Sequence, residues 1–223
     1  GNLGAVGLPC GGKRGAKCKM DDGNVLTFAC VLKSGGDYGP EYVERLRDGV
    51  AANLSTPYKF VCLTDLDLDL CETIPLINDL PGWWSKIELF RLRGPVLYFD
   101  LDTVIGGNLD KIAAYPHEFT MLREFKPKGW APGAYGSGVM AWCGDYEFIL
   151  DNFTDSTPAR YNTANKWGDQ AYIFDQKKTV DLFQEIFPAK FASYKWTPPD
   201  QKQQAAVVCY HGQPRPHQTG WAI

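Results

Sequence analysis

Long apolar runs are what this chain most clearly lacks. Its longest, such as residues 25–32 and 95–99, fall far short of the roughly 20 residues that cross a bilayer, and no signal-peptide pattern opens it. Basic runs are missing too. Lys and Arg never stand more than two together and the formal net charge is -3, so nothing marks a nucleic-acid or anionic-membrane surface. A phosphate-bearing ligand therefore has to be held by local means. Cys10 and Cys18 flank the basic segment GGKRGAK without CxxC spacing or further ligands nearby, which argues against zinc. There is no internal repeat, no low-complexity tract and no initiator Met. These absences point to a soluble, cytoplasmic protein, with an upstream anchor left open.

What is present suits one globular domain. At 223 residues, 44% of them hydrophobic and 22% charged, the chain buries roughly 70% of its unfolded surface without needing a staple. Aromatics are abundant, and Trp130, Trp142, Trp167 and Trp196 are candidates either to stack on a sugar or to fill the core. The cysteines are odd in number. Cys30, Cys62, Cys143 and Cys209 sit in strand-like runs where a free thiol packs as a small hydrophobe, a pattern that favours a reducing compartment. Residues 1–24, rich in Gly and Lys without periodicity, read as a flexible leader, and residues 25–223 as the domain.

Apolar periodicity gives the order of elements. A buried strand over 25–32 leads through SGGDYGP into a helix over 41–53, with Tyr42, Val43, Leu46 and Val50 on one face. A second strand over 58–64 ends at Asp65, a helix spans 83–92, and a third strand over 95–99 runs into Asp100. This βαβαβ alternation implies a parallel sheet whose ligands sit beyond the carboxyl ends of the strands, where Asp65 and Asp100 fall. The second half reads as mixed: strands near 119–122 and 139–142, helices near 146–153 and 169–175, and a last strand over 206–210.

The chemistry concentrates in PVLYFDLDTVIGG. Two carboxylates one residue apart follow a strongly apolar strand, and without a cation between them they would repel each other. A solvated turn is the bland alternative, since TDLDLDL also alternates Asp. The same local sequence would serve a haloacid-dehalogenase-like phosphatase with Asp100 as nucleophile. That family places its motif near the start of the sheet, whereas here three strand-like segments' worth of sequence precedes Asp100, and WGDQAYIFD lacks adjacent acids after its Gly. A binding module without turnover and a sugar nucleotidyltransferase are more distant alternatives.

Four blocks in order resemble GT-A glycosyltransferases of the family 8 type: WWSKIELFRL before PVLYFDLDTVIGGNLD, then YGSGVMAWC, WGDQAYI and VVCYHGQPRPHQ. Tyr135-Gly136 stands where that family carries Asn, and QPRPHQ replaces its Lys-Pro-Trp. The resemblance implies an α/β GT-A fold, a mixed sheet flanked by helices, and sugar transfer from a UDP-sugar to a carbohydrate or other hydroxyl acceptor, most simply with retention. It implies Mn²⁺ or Mg²⁺ on Asp100, Asp102 and His211, and two carboxylates with an imidazole suit Mn²⁺. Lys33, Asp65, Lys86, Asp100, Leu101, Asp102, Ser137, Gly138, Gly212 and Arg215 are then the donor-side residues. Asp169 and Gln170 join Asp102 in the catalytic set. An inverting reaction would instead need a base, for which Asp169, Asp145 and Glu124 are candidates.

Overall fold

Strand β1 (Leu26–Leu32) is apolar without alternation because both of its faces are covered: Leu26, Phe28, Ala29, Cys30 and Leu32 are all buried. The computed structural model describes residues 25–125, 135–163 and 166–221, without the side chains of Lys166 and Trp167. The expected leader with Cys10 and Cys18, and Trp130, lie outside the described residues. Helix α1 (Pro40–Asn53) begins on a proline, whose fixed φ suits a first helical position, and buries Tyr42, Val43, Leu46 and Val50 as its spacing predicts.

Strands β2 (Tyr58–Thr64) and β3 (Glu72–Pro75) follow, then a helix over Gly82–Arg91, β4 (Gly94–Phe99) and β5 (Thr103–Ile105). Next come β6 (Phe119–Arg123), β7 (Tyr135–Gly144), the short pair β8 (Asn162–Thr163) and β9 (Lys166–Trp167), and a helix over Gly168–Lys177. The chain ends through β10 (Asp181–Leu182), β11 (Phe191–Ser193) and β12 (Val207–Cys209). Among the described residues the main sheet has seven strands in the order β10-β6-β7-β4-β1-β2-β3. Its β3-β2-β1-β4 half is parallel, and β7 runs antiparallel to both β4 and β6.

One apolar layer packs α1 and the loop after β4 against the sheet, with Phe28, Phe99 and Leu101 in it. The other contains Trp84, Ile87, Phe90, Trp142 and Tyr172. A smaller sheet, β11-β12-β5, determines how the chain's two ends meet. Because β12 pairs antiparallel with β5, Cys209 lies opposite Thr103 and the Tyr210 amide donates to the Asp102 carbonyl at 3.1 Å. His211 is thereby delivered beside the acidic pair.

The helix expected over 83–92 is present over Gly82–Arg91 and is of the 3₁₀ type: Trp84, Ile87 and Phe90 recur every three residues, the period at which 3₁₀ side chains eclipse. Two sequence readings need correction. Cys143 is disulfide-bonded while Cys30, Cys62, Cys71 and Cys209 are free. The free-thiol argument for a reducing compartment thus fails at Cys143. Trp142 is fully buried on β7, so it is a core residue and no sugar platform. No helix among the described residues is long and apolar enough to cross a membrane.

Candidate active site

Asp100 follows β4 and is tied down from two sides. Its amide donates to the Gly138 carbonyl at 2.7 Å, and its carboxylate accepts from the Tyr98 hydroxyl. A Cβ on Gly138 would lie 3.3 Å from the Asp100 carboxylate, so glycine permits this approach of β7 to the acid. Lys86, on the 3₁₀-helix, is buried with Nζ 2.9 Å from Asp100 and 3.2 Å from Asp169. Burial alone would lower its ammonium, but the two carboxylates outweigh that and raise it well above the ordinary lysine range. Asp100 is also held above the usual carboxylate range, first by burial and further by the Asp102 charge, against the opposing pull of Lys86. Two carboxylates, those of Asp100 and Asp169, thus share one ammonium.

Asp169 opens the helix Gly168–Lys177 and accepts a 2.5 Å hydrogen bond from the Ser137 hydroxyl, which also lies 3.1 Å from Lys86. Gly168 makes this turn with φ 62° while packing on Trp83, whose Nε1 would lie 3.2 Å from a Cβ. Asp102 is held separately. The Tyr38 hydroxyl donates to it at 3.0 Å, and the Arg215 guanidinium stands 3.6 Å away. Arg215 also pairs with Asp37 at 2.6 Å, and its Nε is buried without a hydrogen-bond partner. Burial and the Asp102 charge push the Tyr38 hydroxyl far up, so it remains a donor.

Two cavities meet at these residues. The outer one, about 580 Å³, is lined by the β1–α1 loop from Lys33 to Tyr38 and by Leu101, Gly212 and Arg215. The inner one, about 200 Å³, is lined by Glu124, Phe125, Ser137, Gly138, Asp169, Gln170 and His211. Trp83, Lys86, Asp100 and Asp102 line both.

Most of the residues singled out in the sequence therefore gather around one wall. Lys33 lines the outer cavity with Nζ 2.7 Å from Asp79. Asp65 stands behind that lining: it accepts from the Ser34 amide at 2.8 Å and hydroxyl at 2.6 Å. Burial opposes ionisation of Asp65, but the Ser34 bonds prevail and hold its carboxyl below the usual range. Asp145 does not come to the site: it pairs with Arg93 at 3.3 Å, so it cannot be the base. Trp196 is exposed but lines neither cavity. Sequence reasoning passed over Trp83 and Tyr38; Trp83 was legible only as a neighbour of Trp84, on the helix's outward side.

The donor chemistry fits a hard or borderline divalent cation in kind. Asp100 and Asp102 flank one wall, and their mutual repulsion is the strain a cation relieves. Among the described residues no three His, Cys, Asp or Glu side chains converge into a ready metal shell.

No protein-family model and no curated protein matches the chain in sequence. Solved structures do match it in shape. The galactosyltransferase LgtC, solved with donor and acceptor sugar analogs, superposes with a TM-score of 0.58 at 11% identity over 85% of this chain and 88% of LgtC. The glycosyltransferase GlyE of Streptococcus pneumoniae TIGR4 gives 0.58 at 14% identity over 86% of this chain. The bifunctional glycosyltransferase WbbM gives 0.59 at 12% identity over 91%. The chain spans 56% of GlyE and 48% of WbbM. Continuous shape agreement across most of the chain, at identities this low, establishes architecture: this chain is built on the GT-A glycosyltransferase fold.

Proposed function

We propose that the chain is a family 8-like glycosyltransferase that moves a sugar, with retention, from a UDP-sugar to a hydroxyl acceptor, using Mn²⁺ or Mg²⁺. One observation carries the reading: a nucleotide-sized cavity and a smaller sugar-sized one share the wall formed by Asp100, Asp102, Lys86 and Trp83. Transfer needs two ligands to meet at one charged boundary. LgtC, bound to donor and acceptor analogs, shares this fold, which supports the reading.

The residues divide the work. Lys86 and Arg215 supply positive charge where a diphosphate departs, and an acceptor oxygen there would satisfy the orphaned Arg215 Nε. Gly212 and Leu101 line the outer cavity, where side-chain bulk is small on one and apolar on the other. Asp169, whose carboxyl oxygen meets Ser137 and Lys86, and Gln170 face the inner cavity and orient the transferred sugar. A cation on Asp100 and Asp102, when bound, adds Lewis-acid stabilisation of the leaving group.

A panel of nucleotide sugars assayed for nucleoside diphosphate release, with Mn²⁺ and with chelator, tests this. Metal-dependent release of UDP from one or two donors is expected; silence on every donor contradicts it. The phosphatase reading is not favoured. Asp100 closes β4, which follows three other strands, and its carboxylate is already engaged by Tyr98 and Lys86.

A further inference from the structure

Each acid of the pair is held by the same kind of set. Asp100 accepts from the Tyr98 hydroxyl and meets Lys86 Nζ at 2.9 Å, while Asp102 accepts from the Tyr38 hydroxyl at 3.0 Å and stands 3.6 Å from the Arg215 guanidinium. In both sets the basic side chain also lies over the tyrosine ring. Lys86 is 5.6 Å from the ring centre of Tyr98, and Arg215 is 4.9 Å from that of Tyr38. An acid, a phenol and a base thus recur once on each carboxylate.

The two phenols arrive by different routes. Tyr98 lies on β4 two residues before Asp100, and the two-residue period of a strand keeps both side chains on one face. Its hydroxyl is buried and so needs a partner, which the carboxylate supplies. Tyr38 comes from the loop between β1 and α1, 64 residues from Asp102. Arg215 Nη1 donates to the Tyr38 oxygen, and a guanidinium can only donate, so the one phenolic proton goes to Asp102. Among the described residues Tyr38 and Arg215 both meet Asp102 at Oδ2, and no donor reaches its Oδ1.

We propose that Tyr38 and Tyr98 are positioning residues of the cation site, each giving its phenolic proton to one acid and so fixing that carboxylate before the cation arrives. An aspartate on a turn otherwise spreads over several rotamers, and ordering it would weaken binding by the entropy lost. Holding each acid by a hydroxyl removes that loss without adding a second charge at the site. The cation rests on the transferase reading, whereas the two hydrogen bonds do not.

Titration of the full chain with Mn²⁺, alone and with UDP, followed by the paramagnetic resonance of the free ion, tests the proposal. Tyr38→Phe and Tyr98→Phe each remove one oxygen and keep the ring. Each should weaken Mn²⁺ binding about tenfold, the usual size of losing a donor behind a metal ligand. The control is Tyr172→Phe, which loses a buried phenol bond to the Ile149 carbonyl at 2.7 Å, away from the acids, and should stay within about twofold of wild type. Tyr38 is only half-buried, so Tyr38→Phe should also keep the urea midpoint of wild type, which separates lost positioning from lost stability. Either variant within about twofold of wild type overturns the proposal and leaves the transferase reading standing, and an equal loss in Tyr172→Phe does the same. Wild type that binds no Mn²⁺, with or without UDP, overturns the proposal together with the metal-dependent reading.

Discussion

Lys86 and Asp169 meet at 3.2 Å although they come from separate helices, one just before β4 in the chain and one well after β7, and the same ammonium reaches Asp100 at 2.9 Å. The buried Lys86 ammonium thus joins an acid that lines both cavities to one that lines the inner cavity. Lys86→Ala should leave two carboxylates facing each other, lowering UDP release by about 10²-fold or more. The same variant should lose roughly 3 kcal/mol of stability, since breaking a buried pair strands its partners. Steady-state kinetics and urea unfolding read the two effects separately.

Gly138 tests the approach of β7 to the acid. Gly138→Ala places a methyl 3.3 Å from the Asp100 carboxylate, and its φ is not left-handed, so the backbone itself tolerates the change. Mn²⁺ affinity should weaken by about tenfold as the carboxylate shifts, with stability changed by less than about 1 kcal/mol. Titration calorimetry beside a melting curve measures both.

The helix over Gly82–Arg91 shows how much was legible. Its triplet spacing of Trp84, Ile87 and Phe90 is visible in the sequence, yet the apolar count alone does not separate a 3₁₀ from an α period over three turns. The βαβ order, Asp100 and Asp102 were readable because a buried strand ending in acid is a local pattern. β5 and β11 were not, because three-residue strands carry too little periodicity, and their pairing with β12 is a tertiary event. Asp145 misled for the complementary reason: a carboxylate's partner, here Arg93, is not encoded beside it.

Trp83 is exposed to 61% and lines both cavities. Trp83→Ala should therefore change stability by no more than about 0.5 kcal/mol while raising the donor KM roughly tenfold, the loss of one aromatic stacking surface. An unchanged KM for both donor and acceptor would remove Trp83 from the site.

His117 predicts a pH dependence of stability. Its ring is buried against Thr120 and Ile112, and burial lowers it from 6.5 to about 4, with a smaller lift from the Ile112 carbonyl. The folded state therefore binds this proton less readily than the unfolded chain. The contribution is complete above pH 6.5, declines as pH falls, and is lost by about pH 4, amounting to about 3 kcal/mol. Urea unfolding from pH 7 to 4 should show this decline, and His117→Gln should flatten it.

The most direct test of the account is UDP release from a UDP-sugar panel by wild type and Asp102→Asn, with Mn²⁺ and with chelator. The account predicts slow, Mn²⁺-dependent release from one or two donors, abolished by the substitution and by the chelator. Release that persists in Asp102→Asn, or wild type inert toward every donor while it cleaves a simple aryl phosphate, would contradict it.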